Sequence, residues 1–220
     1  MVHIHDIDAL PTELPIFPLP GALLLPRGRL PLNIFEPRYL NMTQDALGAG
    51  RMIGMIQPKI SEPGLVEDGI EVFTTGCAGR VVSFSETDDG RFMITLLGVC
   101  RFRIAQEIKA RDGYRRVDPD YEPFAGDLEA DPTALADRAR LVAAVDAFFA
   151  AKGIEGDRDA IVKAEDEPLV TALVMLCPLG VEEKQALLES ADTADRGLLM
   201  TGLLEMAVRV GDQPTQAARH

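Results

Sequence analysis

Proline and glycine punctuation constrains what this chain can fold into more than any other feature of it. From Leu14 to about Tyr121 the apolar residues come in short runs, Leu14-Pro15-Ile16-Phe17, then Ala22-Leu23-Leu24-Leu25, then Leu30-Pro31-Leu32-Asn33-Ile34-Phe35. Each is too short for a helix, and Pro18, Pro20, Gly21, Pro26 and Gly28 break them apart. Proline at this density suits edge strands and tight crossings, not the middle of a flat sheet. Residues 51–56 read as a further strand, and residues 79–84 and 91–97 flank Asp88-Asp89-Gly90, a hairpin signal. Residues 100–108, where Phe102 and Ile104 alternate with Arg101 and Arg103, continue the meander as another strand. One helix interrupts: Pro37 fits a first turn, Tyr39, Met42, Thr43, Ala46 and Leu47 share a face, and Gly48 and Gly50 stop it. Many short strands with one early helix predict a compact, partly closed barrel.

After Pro123 the period changes. Asp131-Pro132 reads as a cap and first turn, with Leu135, Ala139, Val142, Val145, Phe148 and Phe149 on one face and Lys152-Gly153 at the end. A short helix is expected at residues 157–164, another after Glu167-Pro168, and a third at 181–188 beyond Pro178. The last runs from about Asp195 to Val208 with Leu198, Leu199, Leu203 and Met206 inward. Strands first and helices afterwards make an α+β chain, divided at residues 12–122 and 123–210, with a polar tail at 211–220.

With 47% hydrophobic and 26% charged residues the chain has material for a real core, and no apolar window long enough to span a membrane. The polar start, Met1 to Asp6, lacks the features of a secretory signal. Three widely spaced cysteines, Cys77, Cys100 and Cys177, suit buried thiols in a reducing cytoplasm. The net charge of −13 is uneven: through residue 120 there are 13 basic against 16 acidic residues, and afterwards 9 against 19. Such a chain repels a phosphate backbone, so nucleic acid is not an expected partner.

Catalytic groups are sparse. The histidines His3, His5 and His220 all lie at the ends, leaving no interior general base or zinc ligand, and His3-x-His5 is read as incidental. No Cys-x-x-Cys occurs. None of the five lysines follows a glycine, which excludes a Walker A loop, and Ser61, Ser83, Ser85 and Ser190 sit in no Gly-x-Ser-x-Gly turn. The run Glu165-Asp166-Glu167 suits a helix N-terminus. No catalytic residue, cofactor or metal is expected.

The segment from Leu14 to Pro20, followed by Pro31-Leu32-Asn33-Ile34-Phe35-Glu36-Pro37-Arg38-Tyr39, resembles the opening of the Lon protease N-terminal, substrate-binding domain. Gly76-Cys77-Ala78-Gly79-Arg80-Val81 and residues 98–104 resemble its later strands, and residues 176–179 with 182–189 its helices. The likeness runs from about Glu13 to Val208. It implies a PUA-like β-barrel subdomain followed by an α-helical bundle. It further implies a stand-alone, non-catalytic bacterial module that binds unfolded or apolar protein segments, an adaptor in protein quality control, with weak self-association allowed. A small-molecule or hydrolytic site in a cleft between the subdomains is the alternative, and an RNA-binding PUA-type role, opposed by the charge, a second. Within the motif, Phe35, Glu36, Pro37, Arg38 and Tyr39 are the candidate partner-binding or junction residues. Glu36 and Arg38 are expected to fix the strand-to-helix junction, Phe35 and Tyr39 to anchor the core. Met42, Met52, Met55 and Met93 are read as core, with an adaptable client surface as the second choice.

Overall fold

The computed structural model describes residues 6–59 and 69–211; His3, His5, His220, Ser61 and residues 212–220 of the expected tail lie outside them. The chain divides into two compact units, Met1–Asp131 with Thr171–Glu189, and Pro132–Val170 with Ser190–His220. The strands are β1 (Leu14–Pro18), β2 (Arg29–Ile34), β3 (Met52–Ile56), β4 (Thr75–Glu86), β5 (Phe92–Arg111) and β6 (Tyr114–Asp120). The helices are α1 (Pro37–Gly48), α2 (Arg138–Lys152), α3 (Arg158–Lys163), α4 (Asp166–Leu176), α5 (Val181–Glu189) and α6 (Thr193–Gly211). The α+β class is as expected.

In the first unit the strands run β2-β5-β4-β3-β1-β6, and β6 pairs again with β5. That second pairing closes a five-stranded ring, β5-β4-β3-β1-β6, and leaves β2 attached to β5 alone. β5 serves both neighbours because it is long. Its first part pairs with β2 from Ile34↔Phe92 to Arg29↔Leu97, and its later part with β6 from Arg103↔Asp120 to Arg111↔Tyr114. Two strands were expected at 91–97 and 100–108, divided at Gly98; the strand is continuous. Gly98 is the point where another segment comes closest: a Cβ there would lie 1.9 Å from the carbonyl oxygen of Leu25. Gly98 N–H donates to Gly28 O and Arg27 N–H donates to Gly98 O, each at 2.8 Å. The run from Ala22 to Leu25 consequently forms no strand; it is a loop whose three leucines are buried.

Leu10, Leu14, Ile16, Met52, Ile56, Cys100, Phe102, Val117 and Tyr121 make the ring's core. Phe102 fits because Gly54 and Gly76 face it; a Cβ at either would meet its ring at 3.0 or 2.7 Å. α1 obeys its periodicity, with Tyr39, Met42, Thr43 and Ala46 buried and Pro37 in the first turn. α5 is held by side chains reaching main-chain oxygens. Gln185 Nε2 donates to Thr75 O (3.1 Å), Gln57 Nε2 to Val181 O (3.2 Å) and Lys184 Nζ to Gly21 O (2.7 Å). The buried Arg101 guanidinium grips both oxygens of Asp127 at 2.8 Å and donates to Leu188 O at 3.0 Å.

In the second unit α2 packs on α6. α2 starts at Arg138, not at Pro132, because the Asp137 carboxylate accepts from Arg140 N–H at 2.9 Å and caps it there. Its buried residues are Leu141, Ala144, Val145 and Phe148, and Gly153 ends it at φ 65°. α6 departs from its expected phase: Met200, Thr201 and Leu204 are buried, while Leu198 and Met206 are 62% and 56% exposed. Gly197 selects that phase, since a Cβ there would come within 2.2 Å of Leu135. Arg138 gathers the α3–α4 turn, pairing with Asp166 and donating to the carbonyls of Ile161, Val162 and Ala164. Among the described residues no helix is long and apolar enough to cross a membrane.

Candidate protein-binding surface

The candidate residues 35–39 span the turn from β2 into α1. Pro37 opens the helix, and Glu36 stands at its N-cap without a side-chain cap bond. The Glu36 carboxylate instead accepts from Arg38 Nε at 3.1 Å and Nη2 at 3.0 Å, while its carbonyl accepts from the amides of Tyr39 and Leu40. The Arg38 guanidinium lies 4.7 Å over the Tyr39 ring, whose centroid is 4.2 Å from that of Phe17. Phe35 is 57% exposed, which corrects its expected place in the core. The cause is β alternation: Ile34 turns inward, so the next residue turns outward.

Phe35 leads to a larger feature. β2, the first part of β5 and the last part of β4 form a three-stranded antiparallel arm beyond the point where β3 stops pairing, at Met52↔Arg80. On one face of the arm Leu32, Ile34, Phe92 and Ile94 are buried, with Phe84 at their margin. Phe84 is 40% exposed and stacks edge-on to Phe92 at 5.0 Å. On the opposite face Met93, paired with Asn33, is 43% exposed, correcting its expected burial. Met42, Met52 and Met55 are core as expected. The β4–β5 hairpin closes through Thr87 and Arg91, with Thr87 N–H on Arg91 O at 2.9 Å and Gly90 at φ 80°, as the Asp-Gly step predicts.

Titratable groups elsewhere are committed to structure. Burial pushes the Cys100 thiol up to about 12 and the Cys177 thiol up to about 11, and raises Cys77 well above the usual range; all three are free and buried. Thiols so raised are protonated at neutral pH and act as small apolar groups. A groove of about 600 Å³ in the first unit is lined by Glu13, Asp45, Arg111, Tyr114 and Arg116, among others. Its charges pair with one another: Arg111 with Asp45 at 3.1 Å, and Arg116 with Glu13 at 2.7 Å. Burial and the 2.7 Å bond to Asp45 lift the Tyr114 phenol to about 12, making it a hydrogen-bond donor and not a base. Among the described residues no group of three His, Cys, Asp or Glu side chains is placed to hold a metal ion.

The sequence motif led to Phe35 but not to Phe84 or Met93. The signal for Phe84 is its setting, Ser83-Phe84-Ser85, a lone aromatic between hydroxyls at a strand end beside an acidic turn. For Met93 it is alternation against Phe92 and Ile94.

The model of the ATP-dependent protease La (LON) substrate-binding domain matches residues 13–206. A Lon protease 2 of Myxococcus xanthus is 26% identical over 206 residues, covering 90% of this chain and 24% of that protein. A Lon protease of Parabacteroides distasonis is 29% identical over 112 residues, 50% of this chain and 13% of that one. The chain thus spans about a quarter, or less, of the length of these relatives. Among solved structures, a Lon N-terminal domain protein from Xanthomonas campestris superposes with a TM-score of 0.59 at 22% identity, covering 92% of this chain and 99% of that one. The N-terminal domain of a Mycobacterium avium complex Lon protease gives 0.64 at 15% identity, covering 88% and 98%. The barrel-and-helix fold is theirs, and the family match extends over nearly the whole sequence: the chain belongs to the ATP-dependent protease La (LON) substrate-binding domain family.

Proposed function

We propose that this chain is a protein-binding module that holds apolar stretches of unfolded polypeptide and does no chemistry on them. The observation that carries this is the exposure of Phe84 and Met93 on opposite faces of the arm, with Phe35 exposed where the chain leaves β2. Water-exposed apolar side chains of this size gain about 1–3 kcal/mol each on full burial, so a partner's apolar residues have a reason to settle there. Methionine and phenylalanine on a mobile client's path accept varied side chains without a fixed socket. The net charge of −13 favours clients with basic residues and slows nonspecific capture of nucleic acid. The family description as a substrate-binding domain supports the reading, as does the commitment of the thiols and the groove charges to structure. In a cell the role is that of an adaptor in cytoplasmic protein quality control, presenting clients to other machinery.

The test is calorimetric binding of reduced, carboxymethylated α-lactalbumin, which stays unfolded, against the native protein. The unfolded form is expected to bind with micromolar affinity and the native form at least about tenfold more weakly. Equal binding of both, or of neither, would remove the proposal.

A further inference from the structure

Two strand edges flank the arm, and they differ chemically. On β2, the Gly98 N–H to Gly28 O bond fixes the phase of pairing with β5. Antiparallel alternation then turns the backbone groups of Leu30, Leu32 and Ile34 toward β5 and those of Arg29, Pro31 and Asn33 outward. On β4, the Thr87 N–H to Arg91 O bond sets the phase, so Ser85 and Ser83 face Met93 and Thr95 while Phe84 and Glu86 point outward. The two counts agree along β5: even-numbered residues serve β2 and odd-numbered ones serve β4.

The outer edge of β2 is blunted by Pro31, which has no N–H to offer. That of β4 is not. The β3 pairing stops at Met52↔Arg80, where β3 begins, and a bulge against β5 follows between Val81 and Ser83; beyond it residues 83–86 are all exposed, carry no proline, and have no strand on their outer side among the described residues. We propose that this edge takes the client segment as an added β-strand, exchanging main-chain hydrogen bonds with Phe84 and Glu86. The proposal rests on the protein-binding function above and states how the client is held.

The side chains beside the edge define the occupant. On the Phe84 face an incoming strand meets an aromatic ring; on the Ser83 and Ser85 face it meets hydroxyls. Past Glu86 the turn carries Asp88, and Asp89 is already paired with Arg91 at 2.8 Å. The edge therefore suits an extended segment in which apolar residues alternate with small polar ones and a basic residue follows at the Glu86 end.

The experiment uses a fluorescein-labelled peptide of alternating valine and threonine flanked by lysines, and the same peptide with alternate amides N-methylated. Wild type is expected to bind the first and to lose the second by about tenfold or more, as removal of main-chain donors demands. Glu86→Pro removes an outward N–H without touching the bonds to β5, so it is expected to keep the wild-type circular dichroism and to lose the unmodified peptide by a similar factor. Equal affinity for both peptides, with binding still lost in Phe84→Ser, would overturn strand addition and leave apolar binding standing. No affinity for either peptide or for unfolded lactalbumin would overturn both. Self-association of the free chain that Glu86→Pro abolishes would make a second copy the occupant and overturn the proposal.

Discussion

Replacing Asp127 with alanine is expected to destabilise the first unit by about 3–5 kcal/mol. The carboxylate accepts from Arg101 three times, from its amide at 2.9 Å and from Nε and Nη2 at 2.8 Å. Both side chains are nearly inaccessible, 7% and 9% exposed, so the variant leaves a guanidinium in the interior with Leu188 O and the Phe124 ring for company. A buried charge stripped of its carboxylate, more than lost attraction, produces the cost. In a chain of this size that corresponds to a melting temperature lower by about 10 °C. The companion variant Arg101→Met/Asp127→Leu removes both charges and is expected to recover most of the loss. It should stay about 1–2 kcal/mol short of wild type, because the amide of residue 101 loses the Asp127 carboxylate and Leu188 O loses the guanidinium donor. Urea unfolding followed by far-ultraviolet circular dichroism measures all three proteins. An Asp127→Ala loss below about 1 kcal/mol, or a double variant no better than the single one, would refute the reasoning.

Gly98→Ala is expected to cost about 3 kcal/mol or more, since its methyl group would sit 1.9 Å from Leu25 O; a urea midpoint within error of wild type would contradict the close approach. Tyr114, raised to about 12 from 10.0 by burial and its bond to Asp45, loses its proton first in the unfolded chain as pH rises. Its contribution is therefore intact below pH 10 and lost between 10 and about 12, and Tyr114→Phe should flatten the decline of stability across that window. The three buried thiols should react with Ellman's reagent at neutral pH only when the chain unfolds, and prompt reaction of the folded protein would show one of them to be accessible.

Local chemistry made part of this fold legible in the sequence. Pro37, the spacing of Tyr39, Met42, Thr43 and Ala46, and the following glycines describe α1 without tertiary information. The same holds for the Asp89-Gly90 turn. The phase of α6 is different: apolar residues at 198, 199, 200, 203, 204 and 206 surround much of the helix, so periodicity alone admits more than one buried face. The neighbour Leu135, which needs the space at Gly197, selects one. Ala22 to Leu25 reads as strand-like but is a buried loop held against Gly98, a contact that only the tertiary structure reveals. The candidate surface was half visible. The motif around Phe35 pointed to it, but exposure of Phe84 depends on where β3 stops pairing with β4, which no local pattern encodes.

Hydrogen–deuterium exchange of the wild-type chain, with and without reduced, carboxymethylated α-lactalbumin, tests the central claim most directly. Client binding at the arm predicts slowed exchange in residues 83–93, including the Phe84 and Glu86 amides, and little change around Glu13, Asp45 and Arg111. Slowing confined to that groove, or none at saturating client, would contradict the account.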